Sequence, residues 1–143
     1  MNTMPERQCP VSAIGILRYS PSALGGRELN KWWLVVDCDK QIGRYCRALY
    51  ALEHNNCRKL QRAAWEEHIS VVRNEPPLNE EFWGKHEGKV IEFEYEPSVR
   101  NDGLFFWLDV TCPELLDMRE ELGLPREPEF GLHLTIGNAK ENN

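Results

Sequence analysis

Two short stretches of the chain combine an imidazole with a hydroxyl at the same spacing, His68-Ile69-Ser70 and His133-Leu134-Thr135. With a free pKa of ~6.5, imidazole is the side chain that can stand neutral in one copy and protonated in another near neutral pH. Facing each other across a hollow, two of them would act as general base and general acid on opposite sides of one phosphorus atom, each worth roughly 10²–10⁴-fold. The hydroxyls of Ser70 and Thr135 would donate hydrogen bonds to the non-bridging oxygens, where charge must be held through the displacement. Which imidazole is acid and which is base is left open by the pattern. This chemistry asks for no metal and no cofactor, and no Asp, Glu or Cys stands at the spacing of a zinc site. The other two histidines, His54 and His86, fall at a helix end and in a loop, where a solvated imidazole is the ordinary case.

For these groups to work together, rigid elements must present them. Side chains alternate across a strand, so His68 and Ser70 share one face while Ile69 and Val71 take the other; His133 and Thr135 repeat this against Leu132, Leu134 and Ile136. Both stretches therefore read as strands with an apolar core face and a polar working face. Trp32–Asp37 is a continuous apolar run, as in a largely buried strand. Ile42, Tyr45, Cys46, Leu49 and Leu52 recur at helical spacing. Lys89–Glu96 alternates with period two, and Asn101-Asp102-Gly103 is a hairpin signal before the strand Leu104–Val110. Pro113 with Glu114 opens a second helix that Gly123 closes.

The pattern repeats. Trp33-Leu34-Val35-Val36-Asp37-Cys38 matches Trp107-Leu108-Asp109-Val110-Thr111-Cys112, and each is followed by a helix and then by His-aliphatic-hydroxyl. A strand-helix-strand unit used twice predicts an α+β fold of two lobes packed around a pseudo-twofold axis, with the histidines on the floor of a central cleft. The paired motifs, embedded in this repeat over roughly residues 32–137, resemble those of the 2H phosphoesterase superfamily. The resemblance implies a metal-independent phosphodiesterase acting on phosphodiesters that carry a neighbouring ribose hydroxyl. One histidine would deprotonate the 2′-hydroxyl for attack on phosphorus and the other would protonate the departing 5′-oxygen; a 2′,3′-cyclic phosphate could then be opened by water. Small size and aromatic-rich strands look most like the phage anti-CBASS phosphodiesterases, which destroy cyclic oligonucleotide immune messengers. The alternatives are an RNA 2′,3′-cyclic phosphodiesterase or a nucleotide-binding module without turnover.

A nucleotide substrate needs flat surfaces and cations. Stacking on an aromatic ring is worth ~1–3 kcal/mol per base, and Tyr19 and Trp83 are the candidate platforms; Trp33 and Trp107 read as core. Lys59, Arg62 and Arg73 are the cations nearest the first motif. The rest of the composition sets bounds. At 143 residues with 41% hydrophobic side chains, the chain suits a single folded domain spanning 1–143, with residues 1–31 partly loop and 138–143 a polar tail. A net charge of −6 argues against long duplex nucleic acid as a partner. No apolar run reaches the ~20 residues of a membrane-spanning helix, and the first fifteen residues lack a signal-peptide core, so no membrane partner and a cytoplasmic setting are expected. Five cysteines without a C-x-x-C pair read as free thiols.

Overall fold

A computed structural model describes residues 9–20, 32–54, 60–61 and 67–139. Seven strands and two helices follow one another as β1 (Val11–Tyr19), β2 (Trp33–Cys38), α1 (Lys40–Glu53), β3 (His68–Arg73), β4 (Val90–Tyr95), β5 (Arg100–Asn101), β6 (Phe105–Thr111), α2 (Pro113–Glu121) and β7 (His133–Asn138), with one 3₁₀ turn over Glu80–Phe82. Local chemistry accounts for the helix ends. Asp39 caps α1 by accepting from the Gln41 amide at 2.8 Å. Pro113 opens α2 with Glu114 in its first turn and Arg119 in its last, charges that suit the helix dipole. At the β5–β6 turn the Asp102 carboxylate accepts from the Leu104 and Phe105 amides. Those amides hold its carboxyl below the ordinary aspartate value.

All pairings are antiparallel, in the order β4-β1-β2-β3-β7-β6, and β4 pairs again with β6 through Glu94–Thr111 and Tyr95–Val110. The sheet therefore closes into a six-strand barrel. β5 follows β4 along the same edge of β6, pairing Arg100 with Trp107. This corrects the expected architecture of two lobes around a cleft. The strand-helix-strand order does occur twice, as β2-α1-β3 and β6-α2-β7. The two units do not form separate lobes, because β3 pairs with β7 and the ring is completed by β1 and β4, which lie outside the repeat. Closure spares the six strands the fully open edges that two separate sheets would carry.

The alternation of each strand decides which side fills the interior. Leu17, Leu34, Val36, Ile69, Val71, Ile91, Phe93, Phe106, Leu108, Leu134 and Ile136 are buried in one cluster, joined by Cys46 and Tyr50 of α1 and by Leu115 and Met118 of α2. A barrel this narrow has room inside only for side chains, so this face is the inner one. Two boundaries differ from the sequence reading. β1 is a nine-residue strand within the stretch expected to be partly loop, and Asn138, expected in a polar tail, is buried at the end of β7 and pairs with Gln61. Among the described residues no helix is long and apolar enough to cross a membrane.

Candidate active site

The motif strands β3 and β7 are neighbours, and Ile69 pairs with Leu134. Stepping one residue each way along an antiparallel pair sets His68 opposite Thr135 and Ser70 opposite His133. All four are half-buried, while Ile69, Val71, Leu134 and Ile136 between and beyond them are buried in the interior. The imidazoles and hydroxyls therefore share the outer face. Directly opposite Cβ atoms in such a pair stand about 4.5–5.5 Å apart and diagonal ones about 7–8 Å. Each hydroxyl thus faces the other motif's imidazole, and the two imidazoles lie on a diagonal.

The flanking strands complete this face. On β2, Asp37 pairs with His68 and Val35 with Ser70; on β6, Asp109 pairs with His133 and Trp107 with Thr135. The Trp33 indole N–H donates to the Ser70 hydroxyl at 3.3 Å, and its ring meets His68 edge-on at 5.6 Å. Trp107 meets His133 in the same way at 6.3 Å. Because Ser70 accepts from the indole, its own hydroxyl hydrogen is directed elsewhere and can be offered to a ligand. His133 Nδ1 lies 3.1 Å from the Gly131 carbonyl. A carbonyl only accepts, so Nδ1 carries the proton and Nε2 is left to exchange one. Gly131 itself sits at φ +69°, a left-handed conformation that glycine adopts without strain.

Asp37 and Asp109 are each held by an arginine on the strand beyond. Arg18 Nε lies 2.6 Å from Asp37 Oδ2, and Arg100 Nη1 lies 3.3 Å from Asp109 Oδ2. These pairs offset two carboxylates that would otherwise repel an anionic ligand, and they stand on either side of the quartet. Residue typing alone did not single out Asp37, Asp109, Arg18, Arg100 or the site-facing role of Trp33 and Trp107. The signal was the shared parity of Trp33, Val35 and Asp37, and of Trp107 and Asp109, which becomes legible only once strand partners are known.

Arg73 pairs with Trp33 at the end of β3 and is exposed, so it lies on the quartet's face beyond Ser70. Tyr19 and Trp83 are brought together. Tyr19 pairs with the interior residue Leu34. Its ring meets Trp83 edge-on at 5.0 Å, and Trp83 meets Trp32 in the same way at 5.0 Å. Burial pushes the Tyr19 phenol above its ordinary value. Lys59 and Arg62 lie outside the described residues. The described cysteines Cys9, Cys38, Cys46 and Cys112 are free thiols, and burial pushes Cys38, Cys46 and Cys112 up, away from thiolate chemistry. Among the described residues no group of three or more His, Cys, Asp or Glu stands close enough to hold a metal ion. Comparison with protein-family models, with curated proteins and with solved structures found no match to this chain.

Proposed function

We propose that the chain is a metal-independent phosphodiesterase acting on cyclic nucleotides, with 3′,5′-linked cyclic di- or oligonucleotide messengers as the preferred class. The observation that carries this reading is the quartet of two imidazoles and two hydroxyls, His68, Ser70, His133 and Thr135, on one face of a single strand pair.

The quartet supplies the groups that the reaction calls for. A phosphate seated over the β3–β7 pair meets a hydroxyl donor and an imidazole on each strand. The imidazole acting as base takes the proton of the ribose 2′-hydroxyl. The 2′-oxygen then bonds to phosphorus, the bond from phosphorus to the 5′-oxygen breaks, and the other imidazole delivers its proton to that oxygen. Ser70 and Thr135 donate to the non-bridging oxygens as their charge grows. The product is a 2′,3′-cyclic phosphate, which water opens with the two imidazoles exchanging roles. With Nδ1 of His133 held at the Gly131 carbonyl, Nε2 is the atom that takes or gives the proton. Arg73, exposed on the same face, would meet a neighbouring phosphate.

The test is a panel of 2′,3′-cyclic mononucleotides and 3′,3′-cyclic dinucleotides incubated with the protein in EDTA, with products resolved by chromatography. Turnover of the dinucleotides that is lost in both His68→Ala and His133→Ala is the expected result. Turnover of 2′,3′-cyclic ends alone would move the assignment to RNA end processing. Binding without turnover would make the protein a nucleotide-binding module, and full activity in either alanine variant would refute the two-imidazole mechanism.

A further inference from the structure

The strand pair that carries the quartet is the least continuous in the barrel. β3 and β7 share the single register pair Ile69–Leu134, whereas β2–β3 and β6–β7 each run through five. A ladder this short cannot by itself fix the relative position of side chains at its two ends, where the reaction needs them held most closely.

We infer that Arg47 and Arg119 are positioning residues that hold the carbonyls of two bulged residues, Ile136 and Val71, and so keep the two motif strands in register. The catalytic consequence rests on the phosphodiesterase reading; the structural one does not. In an antiparallel strand, residues two apart direct their backbone groups to the same side. That alternation breaks at one residue of each motif strand: the β6–β7 pairing skips Ile136, between Phe106–Gly137 and Trp107–Thr135, and the β2–β3 pairing skips Val71, between Leu34–Val72 and Val35–Ser70. Leu134 pairs with Ile69, and Asn138 exchanges both backbone hydrogen bonds with Gln61, at 2.8 and 2.9 Å. Between them the Ile136 carbonyl accepts from Arg47 Nη1 at 2.7 Å. On β3 the carbonyl of Val71, two residues beyond Ile69, accepts from Arg119 Nη1 at 2.8 Å. Each guanidinium therefore holds the carbonyl of a residue that its strand's pairing leaves out.

The sites bracket the quartet. Arg47 Nη1 also lies 3.1 Å from Glu67 Oε1, so one nitrogen ties the residue before His68 to the residue after Thr135. Glu67 Oε2 is buried with no hydrogen-bond partner among the described residues, and Oε1 is the oxygen that meets Arg47. Arg119, 1% exposed, anchors the residue after Ser70 and is itself fixed by both Glu75 oxygens, at 2.8 and 2.9 Å, and by the Pro125 carbonyl at 2.9 Å. One clamp comes from each helix, and each reaches the strand of the other unit: α1 holds β7, and α2 holds β3.

The test compares Arg47→Met and Arg47→Lys with the wild-type full chain. Readouts are kcat and KM on whichever panel substrate is turned over, thermal melting, and the cross-strand nuclear Overhauser contact between His68 and Thr135. Arg47→Met is expected to lose that contact and to lower kcat about 10–100-fold, the cost of a misplacement near 1 Å, with KM within about threefold. Arg47→Lys, which still donates to the Ile136 carbonyl, should recover most of both. A Met variant that keeps the contact, or whose kcat loss merely follows its unfolded fraction, overturns the inference. If Arg47→Met does not fold, Glu67→Gln carries the same readouts by weakening the charge-assisted bond, and an unchanged contact with unchanged kcat overturns the inference there too. If the wild type turns over no substrate, the phosphodiesterase reading fails while the contact still decides the clamp.

Discussion

Replacing Gly131 by alanine separates the orientation of His133 from the stability of the fold. Gly131 sits at φ +69°, and a Cβ built there meets nothing within 4 Å. The cost is therefore conformational and not steric, about 1–2 kcal/mol for an L residue in the left-handed region. Gly103 offers a matched control: it sits at φ +94° at the β5–β6 turn and is equally open. Both Gly131→Ala and Gly103→Ala should lower the melting temperature by on the order of 5 °C for a chain of this size. Only the first bears on the 3.1 Å contact that fixes the His133 ring. If the alanine relaxes its strain by rotating the 131 carbonyl, the imidazole loses its tautomer and its aim together, and kcat should fall about 10-fold or more. Steady-state kinetics and melting curves on both variants give the answer. Equal kcat in the two, or an equal loss in both, would refute the assignment of Gly131 as the group that orients His133.

Three further outcomes follow from named contacts. Trp33→Phe keeps an aromatic ring but removes the N–H that donates to Ser70, and should lower kcat about 3–10-fold, the worth of one neutral hydrogen bond, with a fall of a few degrees in melting temperature because the smaller ring leaves a void at this buried position. The Arg119 guanidinium, bonded to both oxygens, holds the Glu75 carboxyl below the ordinary glutamate range. Stabilisation from a depressed carboxylate is complete above its unfolded-state pKa of ~4.3 and is lost as pH falls through the folded-state value. Urea melts should therefore show Glu75→Gln less stable at neutral pH by about 1–3 kcal/mol, discounted for the water that reaches this half-exposed group, with a shallower loss below about pH 5 than the wild type; parallel acid slopes would contradict this. Iodoacetamide at mildly alkaline pH should label exposed Cys9 well before Cys38, whose thiol is raised first by burial and then by the neighbouring Asp37 and Glu67 charges. Mass spectrometry of the labelled peptides checks the order.

Much of the site was legible in the sequence because the relevant physics is local. Period-two alternation alone sets His68, Ser70, His133 and Thr135 on one side of their strands and Ile69, Val71, Leu134 and Ile136 on the other. Proline and acidic residues at a helix start, and Asn-Asp-Gly at a hairpin, are equally local, and α2 and the β5–β6 turn are where those signals put them. Strand partnership is not local. Nothing in the composition of β1 or β4 says that they pair with each other and that β4 closes onto β6, so a repeated strand-helix-strand pattern suggested two lobes where the molecule builds one ring. Trp33 illustrates the same gap. It reads as core, and it is 6% exposed, yet its register with Arg73 and its bond to Ser70 put it on the quartet's face. Tyr19 reads as a free platform, and its pairing with Leu34 turns it to the interior side beside Trp83.

The proposal that His68 and His133 act together on one phosphate can be tested by titrating the ¹⁵N-labelled chain with a nucleoside 2′-monophosphate and following all four imidazoles. The resonances of His68 and His133 should move together along one saturation curve. His54, stacked on Tyr50 at 4.0 Å, and His86, held 3.0 Å from Glu121, should stay in place. Movement of only one motif imidazole, or of neither while the ligand binds, would contradict the account.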